Sequence, residues 1–198
     1  MAGLSFSFRL LRKLGLNFSE TEYGNVSMWR VICRACRIMR DAFLVRFVMN
    51  SIILSPICTR KINPWVLRKV GCKVGKGVAV GTQVFFDGGH ADMIEIEDNV
   101  QLTARCLLLC HQRDLSGYRI GDDCTKLPYK IGKIHICKGA MVGMNTMIMP
   151  GVTIGEGASI GAYSLVNTDI PAWTIAVGRP AKVVKYIPQR EEQTNQDS

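Results

Sequence analysis

Histidine is scarce in this 198-residue chain: only His90, His111 and His135. His111 and His135 are 24 positions apart and no His-x-x-x-x-His pair exists, which excludes a metal centre built on such a pair. Eight cysteines are present, yet Cys33 and Cys36 form the only Cys-x-x-Cys pair, with no second such pair or nearby histidine. Zinc-finger spacing is therefore absent and no metal is expected. No run is long enough to span a bilayer: in the basic first third the longest uncharged stretch, 47–59, holds 13 residues and contains Asn and Pro. The N-terminus lacks an uninterrupted apolar core followed by a small-residue cleavage site, so a cytoplasmic chain with reduced thiols is expected. Excess charge is missing from most of the chain. Residues 71–198 hold 13 basic and 13 acidic side chains, whereas residues 1–70 hold 12 basic and 3 acidic, which accounts for the whole net charge of +9. That distribution excludes a generally basic nucleic-acid binder and describes a basic front end on a neutral body.

What the chain does have is a period of six. Ile136, Val142, Ile148, Ile154, Ile160 and Val166 each lie six residues after the last. The fifth position of these units is small or β-branched: Ala140, Thr146, Val152, Ala158 and Ser164. The rhythm appears earlier from Val74 and again from Ile96 to Leu108. Six fits neither an amphipathic helix nor a simple alternating strand. It fits short strands joined by sharp turns, with the aliphatic and the small residue pointing inward. Gly143, Gly155 and Gly161 follow the aliphatic, and a role in positive-φ turns is expected for them. Three hexads make one triangular coil, and successive coils stack at about 4.8 Å. The fold class predicted is mainly β, a parallel β-helix, with an N-terminal helical segment. Domain bounds follow: 1–70, a basic helical segment; 71–187, the repeat domain; 188–198, a tail expected to be poorly ordered like residues 1–27. The segment "QRDLSGYRIGDDCTKLPYK", 112–130, interrupts the hexads and reads as a functional loop.

Over about 70–187 the chain resembles the hexapeptide-repeat acyltransferases. The segment "IMPGVTIGEGASIGAYSLVNTDIPAWTIAVGRPAKVVKYI", 148–187, is similar to the C-terminal coils and tail of the galactoside, maltose and virginiamycin O-acetyltransferases. "VFFDGG", "IEDNV" and "CHQRD" are similar to the branch acting on lipopolysaccharide, capsule and exopolysaccharide sugars. The resemblance implies a left-handed coil, a homotrimer, acetyl-CoA as co-substrate, and transfer to a hydroxyl of a sugar or glycolipid in polysaccharide biosynthesis. It also implies a catalytic histidine eleven residues beyond the valine of "DNV", which here is His111. Ala162 matches a position that meets the pantetheine arm, and Lys182 and Lys185 match positions that meet the nucleotide phosphates. Met144, Asn167 and Thr168 stand where galactoside enzymes have serine, threonine and lysine near the cofactor. Main-chain contacts survive that change; side-chain contacts do not.

The residues themselves agree with the role of His111. A neutral alcohol is a poor nucleophile, and an imidazole can take its proton and return it to a leaving thiolate. "LLLCHQRDL", 107–115, places that imidazole where an apolar strand gives way to a polar loop. Asp87, at the matching corner one coil earlier, is the second catalytic candidate, either orienting the imidazole or binding a sugar hydroxyl. His90 lies beside the same cleft. His135, between two inward isoleucines, is expected to point outward. Cys110 is expected on the opposite side of the strand from His111, with no acyl-enzyme role. Residues 28–49 read as a helix with Arg30, Arg34, Arg37 and Arg40 on one face. Two uses stand open for it: a peripheral contact with an anionic membrane, or a cap on the coil. Competing functions are N-acetyl transfer to an amino sugar and a non-catalytic trimeric binding scaffold.

Overall fold

The computed structural model describes residues 27–51 and 58–189, with single positions 6, 9 and 13. Residues 1–26 and 190–198, apart from those single positions, fall outside the described residues, and with them most of the two ends expected to be poorly ordered. The chain divides into two compact units, Met1–Leu44 and Val45–Ser198.

The first unit contains helix α1, Met28–Phe43. Its apolar residues recur every three to four positions, and Arg40 in the last turn suits the negative end of the helix dipole. No residue of α1 is buried.

In the second unit a short helix α2, Asn63–Val70, starts with Pro64 in its first turn and stops at Gly71, whose φ is 120°. Val66 and Leu67 are buried, and the Asn63 side chain donates to the carbonyls of Val80 and Gly81 at 2.9 and 3.1 Å. The helix is thus fastened to the first rung of the strands.

The strands are short and most follow the hexads. β1 (Lys73–Val74), β2 (Ala79–Val80), β3 (Phe85–Phe86), β4 (Ile94–Ile96), β5 (Gln101–Leu102) and β6 (Leu107–Leu108) come first. After an inserted ribbon of β7 (His111–Arg113) and β8 (Tyr129–Ile131) come β9 (Ile134–Ile136), β10 (Met141–Val142), β11 (Met147–Ile148), β12 (Thr153–Ile154), β13 (Ser159–Ile160) and β14 (Leu165–Val166). β15 (Thr174–Gly178) and β16 (Ala181–Tyr186) close the unit as an antiparallel pair. Three parallel sheets result. The first runs β1-β4-β9-β12; the second β2-β5-β10-β13-β15, with β16 at its edge; the third β3-β6-β11-β14. Successive strands go to the three sheets in turn. Met141 pairs with Ser159, Met147 with Leu165 and Ile136 with Ile154, each eighteen apart, as three hexads require.

The hexad residues form the core. Ile136, Val142, Ile148, Ile154, Ile160 and Val166 are all buried, as are Ala140, Thr146, Val152, Ala158 and Ser164. The glycine expectation is corrected. Gly143, Gly155 and Gly161 are not among the positive-φ residues; that conformation falls to Asn99, Arg105, Asn145, Tyr163, Gly139, Gly151 and Gly157. The three glycines are required by close approach instead. A Cβ on Gly143 would lie 2.4 Å from the Ala162 nitrogen, and one on Gly155 2.4 Å from the Ala172 nitrogen.

Two additions interrupt the rhythm of eighteen at one corner, and a third break shortens the last coil to sixteen, Ser159 pairing with Ile175. Val74 pairs with Ile96, 22 residues on, and Ile96 with Ile136, 40 residues on. The extra residues lie after β3 and after β6, which are neighbours in the third sheet. Both additions therefore leave the sheets at the same place on adjacent rungs.

Candidate active site

Asp87 is the first residue of the shorter addition. Its N–H donates to the carbonyl of Leu108 at 3.1 Å, so β6 fixes its backbone. The carboxylate Oδ1 accepts from the Gly89 N–H at 3.3 Å, capping the turn Gly88–Met93. The side chain is only 8% exposed. Burying a carboxylate is costly unless it is paired, and Oδ2 has two partners. His90 Nδ1 lies 3.0 Å away, and His111 Nδ1 makes a short hydrogen bond to the same oxygen.

His111 opens the longer addition. It does not begin an irregular loop, as the broken hexads suggest; it is the first residue of β7, paired with Ile131 of β8. Antiparallel pairing with β8 thus holds its backbone. The ring is 38% exposed. Tyr129 stands edge-on to it with centroids 5.3 Å apart, and the His90 ring is also 5.3 Å away. Arg113 braces Tyr129: its guanidinium sits 4.1 Å over the ring while Nη1 donates to the Leu127 carbonyl. With Nδ1 given to the carboxylate, the proton belongs on Nδ1 and the lone pair on Nε2, which faces no protein hydrogen-bond partner among the described residues. A hydroxyl reaching Nε2 meets a base with its tautomer already set.

Cys110 alternates to the other side as expected and is fully buried. Burial, reinforced by the Asp87 carboxylate, pushes its thiol up to about 11. It is therefore a neutral thiol near pH 7 and a poor nucleophile. Cys110→Ala is expected to retain turnover within about threefold, because general-base transfer needs no thiol; intact-protein mass spectrometry during turnover should find no acetyl adduct on the wild type.

His135 is half-buried and belongs to a separate cluster with Glu97 and Cys137. The ligand atoms of Asp87, His90 and His111 lie within 4.8 Å of one another, as do those of Glu97, His135 and Cys137, so each group is compact enough to hold a metal ion.

A family model described as bacterial transferase hexapeptide, six repeats, matches residues 133–168, from just before β9 to just past β14. A protein of Staphylococcus aureus (strain COL) named as a candidate acetyltransferase is 40% identical over 120 residues, covering 58% of this chain and 55% of its own length. This chain thus spans about half the length of that relative. YvoF of Bacillus subtilis, also named as a candidate acetyltransferase, is 30% identical over 129 residues, covering 65% of this chain and 69% of its own length. The chain belongs to the hexapeptide-repeat acyltransferase family. A solved maltose O-acetyltransferase from Clostridium difficile shares its fold, with a TM-score of 0.60 at 23% identity, covering 78% of this chain and 88% of that one.

In this member of the family the other candidate residues fall in three places. Met144 and Ala162 sit at the corner between the second and third sheets, where the Tyr163 N–H donates to the Met144 carbonyl at 2.8 Å. Asn167 and Thr168 follow β14, at the corner of His111 but two rungs further on. Lys182 and Lys185 lie exposed on β16, paired with Val177 and Ile175. Among the described residues none of these forms a hydrogen bond or ion pair with Asp87 or His111. Nothing in the sequence signals Tyr129, which meets His111 only because β8 folds back on β7. His90 was legible as a neighbour of the cleft through its place three residues after Asp87.

Proposed function

We propose that this acyltransferase moves an acetyl group from acetyl-CoA to a hydroxyl of a sugar or glycolipid, by direct transfer with His111 as general base. The observation carrying this reading is the buried Asp87 carboxylate on His111 Nδ1, which leaves Nε2 as the basic atom at an open corner. The acceptor oxygen loses its proton to Nε2 and attacks the thioester carbonyl. The tetrahedral adduct collapses, the C–S bond breaks, and His111 returns the proton to the CoA thiolate. Asp87 positions the ring and offsets its positive charge while the proton is held. Asp87→Asn is expected to lower kcat at least tenfold with acetyl-CoA affinity unchanged; equal turnover would remove Asp87 from the mechanism.

The cofactor reading rests on the family. Lys182 and Lys185 supply cations for the nucleotide phosphates, Ala162 meets the pantetheine arm, and Met144, Asn167 and Thr168 contribute main-chain groups. We place these around a groove shared by two subunits of a homotrimer whose coil is left-handed. Support comes from the separation of the Met144–Ala162 corner from the His111 corner within one chain. Sedimentation velocity is expected to give a trimer, and an active monomer would contradict the shared groove. Substrate class is tested by an acceptor screen with thiol release as readout. Release with sugar hydroxyls supports the proposal; release with amino sugars alone would overturn O-transfer, and failure to bind acetyl-CoA would favour a scaffold.

Helix α1 suits an anionic membrane, where a lipid-linked acceptor would reside. Arg30, Arg34, Arg37 and Arg40 line one side, while Trp29, Ile32, Met39 and Phe43 project from the rest and are exposed. Among the described residues no helix is long and apolar enough to cross a membrane, so the contact proposed is peripheral. Wild type should sediment with phosphatidylglycerol vesicles, and Arg30→Glu/Arg37→Glu should release it, at about 1 kcal/mol per charge. Equal sedimentation of both proteins would refute this contact.

A further inference from the structure

We propose that Glu97, His135 and Cys137 form a zinc site on the outer side of the first sheet. The site is independent of the acyl-transfer reading and departs from the absence of metal expected from cysteine spacing alone. It arises from register. Ile96 and Ile136 pair and point into the core, so Glu95 and His135, one position earlier, face outward side by side. Glu97 and Cys137 follow on the same two rungs, each tied to the next rung by its N–H, to the carbonyls of Ile136 and Ile154 at 2.9 Å. One carboxylate, one imidazole and one thiol thereby converge, with their ligand atoms within 4.8 Å of one another.

Two of the three ligands are already oriented. Glu97 Oε2 accepts from the Lys138 N–H at 2.9 Å, which turns Oε1 towards His135 Nε2, 2.7 Å away. Such outer hydrogen bonds fix ligand direction in metal sites. Zinc bonds of about 2.0–2.3 Å in a tetrahedron separate the ligand atoms by roughly 3.3–3.6 Å. The imidazole and carboxylate need to part by less than about 1 Å to admit the ion. A donor set of sulfur, nitrogen and one carboxylate oxygen selects zinc over magnesium or calcium.

The charge around the thiol favours a cation. Burial pushes Cys137 up, and Glu97, Glu156 and Glu95 add to the rise. Lys133 and Lys73 are turned to Glu95, at 2.5 and 4.0 Å. A divalent ion reverses that balance and takes the thiolate. On binding, the thiol proton is released, and Nε2 gives up its proton so that its lone pair meets the metal. A neutral imidazole then carries its proton on Nδ1. All three residues are half-buried, so solvent reaches them and water completes the fourth position. Glu97 and His135 are 38 positions apart, on either side of the β7–β8 addition. The ion would tie the two rungs that the addition separates, and so stabilise the rung break on which His111 sits.

The test is a titration of the purified, metal-free full chain with Co²⁺, followed by displacement with Zn²⁺. A thiolate-to-cobalt charge-transfer band saturating at one ion per chain is expected. It should vanish in Cys137→Ser and persist in Cys33→Ser/Cys36→Ser and in His111→Ala. A cobalt ion on Asp87, His90 and His111 would show no such band, since that cluster has no sulfur. Glu97→Gln keeps the shape of the pair and should weaken zinc about tenfold or more, with loss of the rise in Tm that zinc gives the wild type. Absence of the band, its survival in Cys137→Ser, its loss in Cys33→Ser/Cys36→Ser, or unchanged zinc affinity in Glu97→Gln would overturn the site.

Discussion

His111→Ala should lower kcat by about 10²–10⁴-fold, the span ordinarily supplied by general-base catalysis. Acetyl-CoA affinity should stay nearly unchanged, because among the described residues none of the proposed cofactor positions is hydrogen-bonded to the imidazole. The loss belongs in kcat because the proton is taken only as the acceptor attacks. Folding should survive, since the ring is 38% exposed and its backbone is held by β8 whatever the side chain. Circular dichroism and a binding isotherm on the same preparation separate this outcome from simple unfolding. A variant that keeps most of its turnover would remove His111 from the reaction.

Ile154→Asp should prevent folding altogether. Ile154 is fully buried, pairs with Ile136 on one side and bridges to Ile170 on the other. A carboxylate there has no partner and no route to water. An uncompensated buried charge costs at least about 4–5 kcal/mol, a large part of the roughly 5–15 kcal/mol that holds a domain together. The damage should spread, because each rung covers only its neighbours. Insoluble expression, or loss of the β-sheet signal in the soluble fraction, is the expected readout. A soluble and fully folded variant would contradict the inward register of the hexads.

The fold was legible where it repeats. A period of six from Ile136 to Val166 has few physical solutions, and each of those six residues is in the core. The role of the glycines was less legible, because the letters show which positions lack a side chain but not what stands next to them. Gly143 needs its place because of Ala162, a residue of the next rung. The β7–β8 ribbon was hidden for a related reason: its two strands pair across a 15-residue interval whose composition is that of a polar loop. At the candidate site, His111 could be placed from its offset and Asp87 from its matching corner. Their hydrogen bond could not, since it depends on β3 and β6 being neighbours. Glu97, His135 and Cys137 were invisible as a group because, with the addition after β6 between them, the first two are 38 positions apart.

A double-mutant cycle on Asp87 and His111 tests the account most directly, using single-turnover thiol release at saturating acetyl-CoA and acceptor. If Asp87 works through the imidazole, removing His111 removes everything Asp87 contributes. Asp87→Asn should then slow the wild type at least tenfold and leave His111→Ala no slower than before. Additive losses, with the double variant slower than His111→Ala by the full factor of Asp87→Asn, would contradict a catalytic pair.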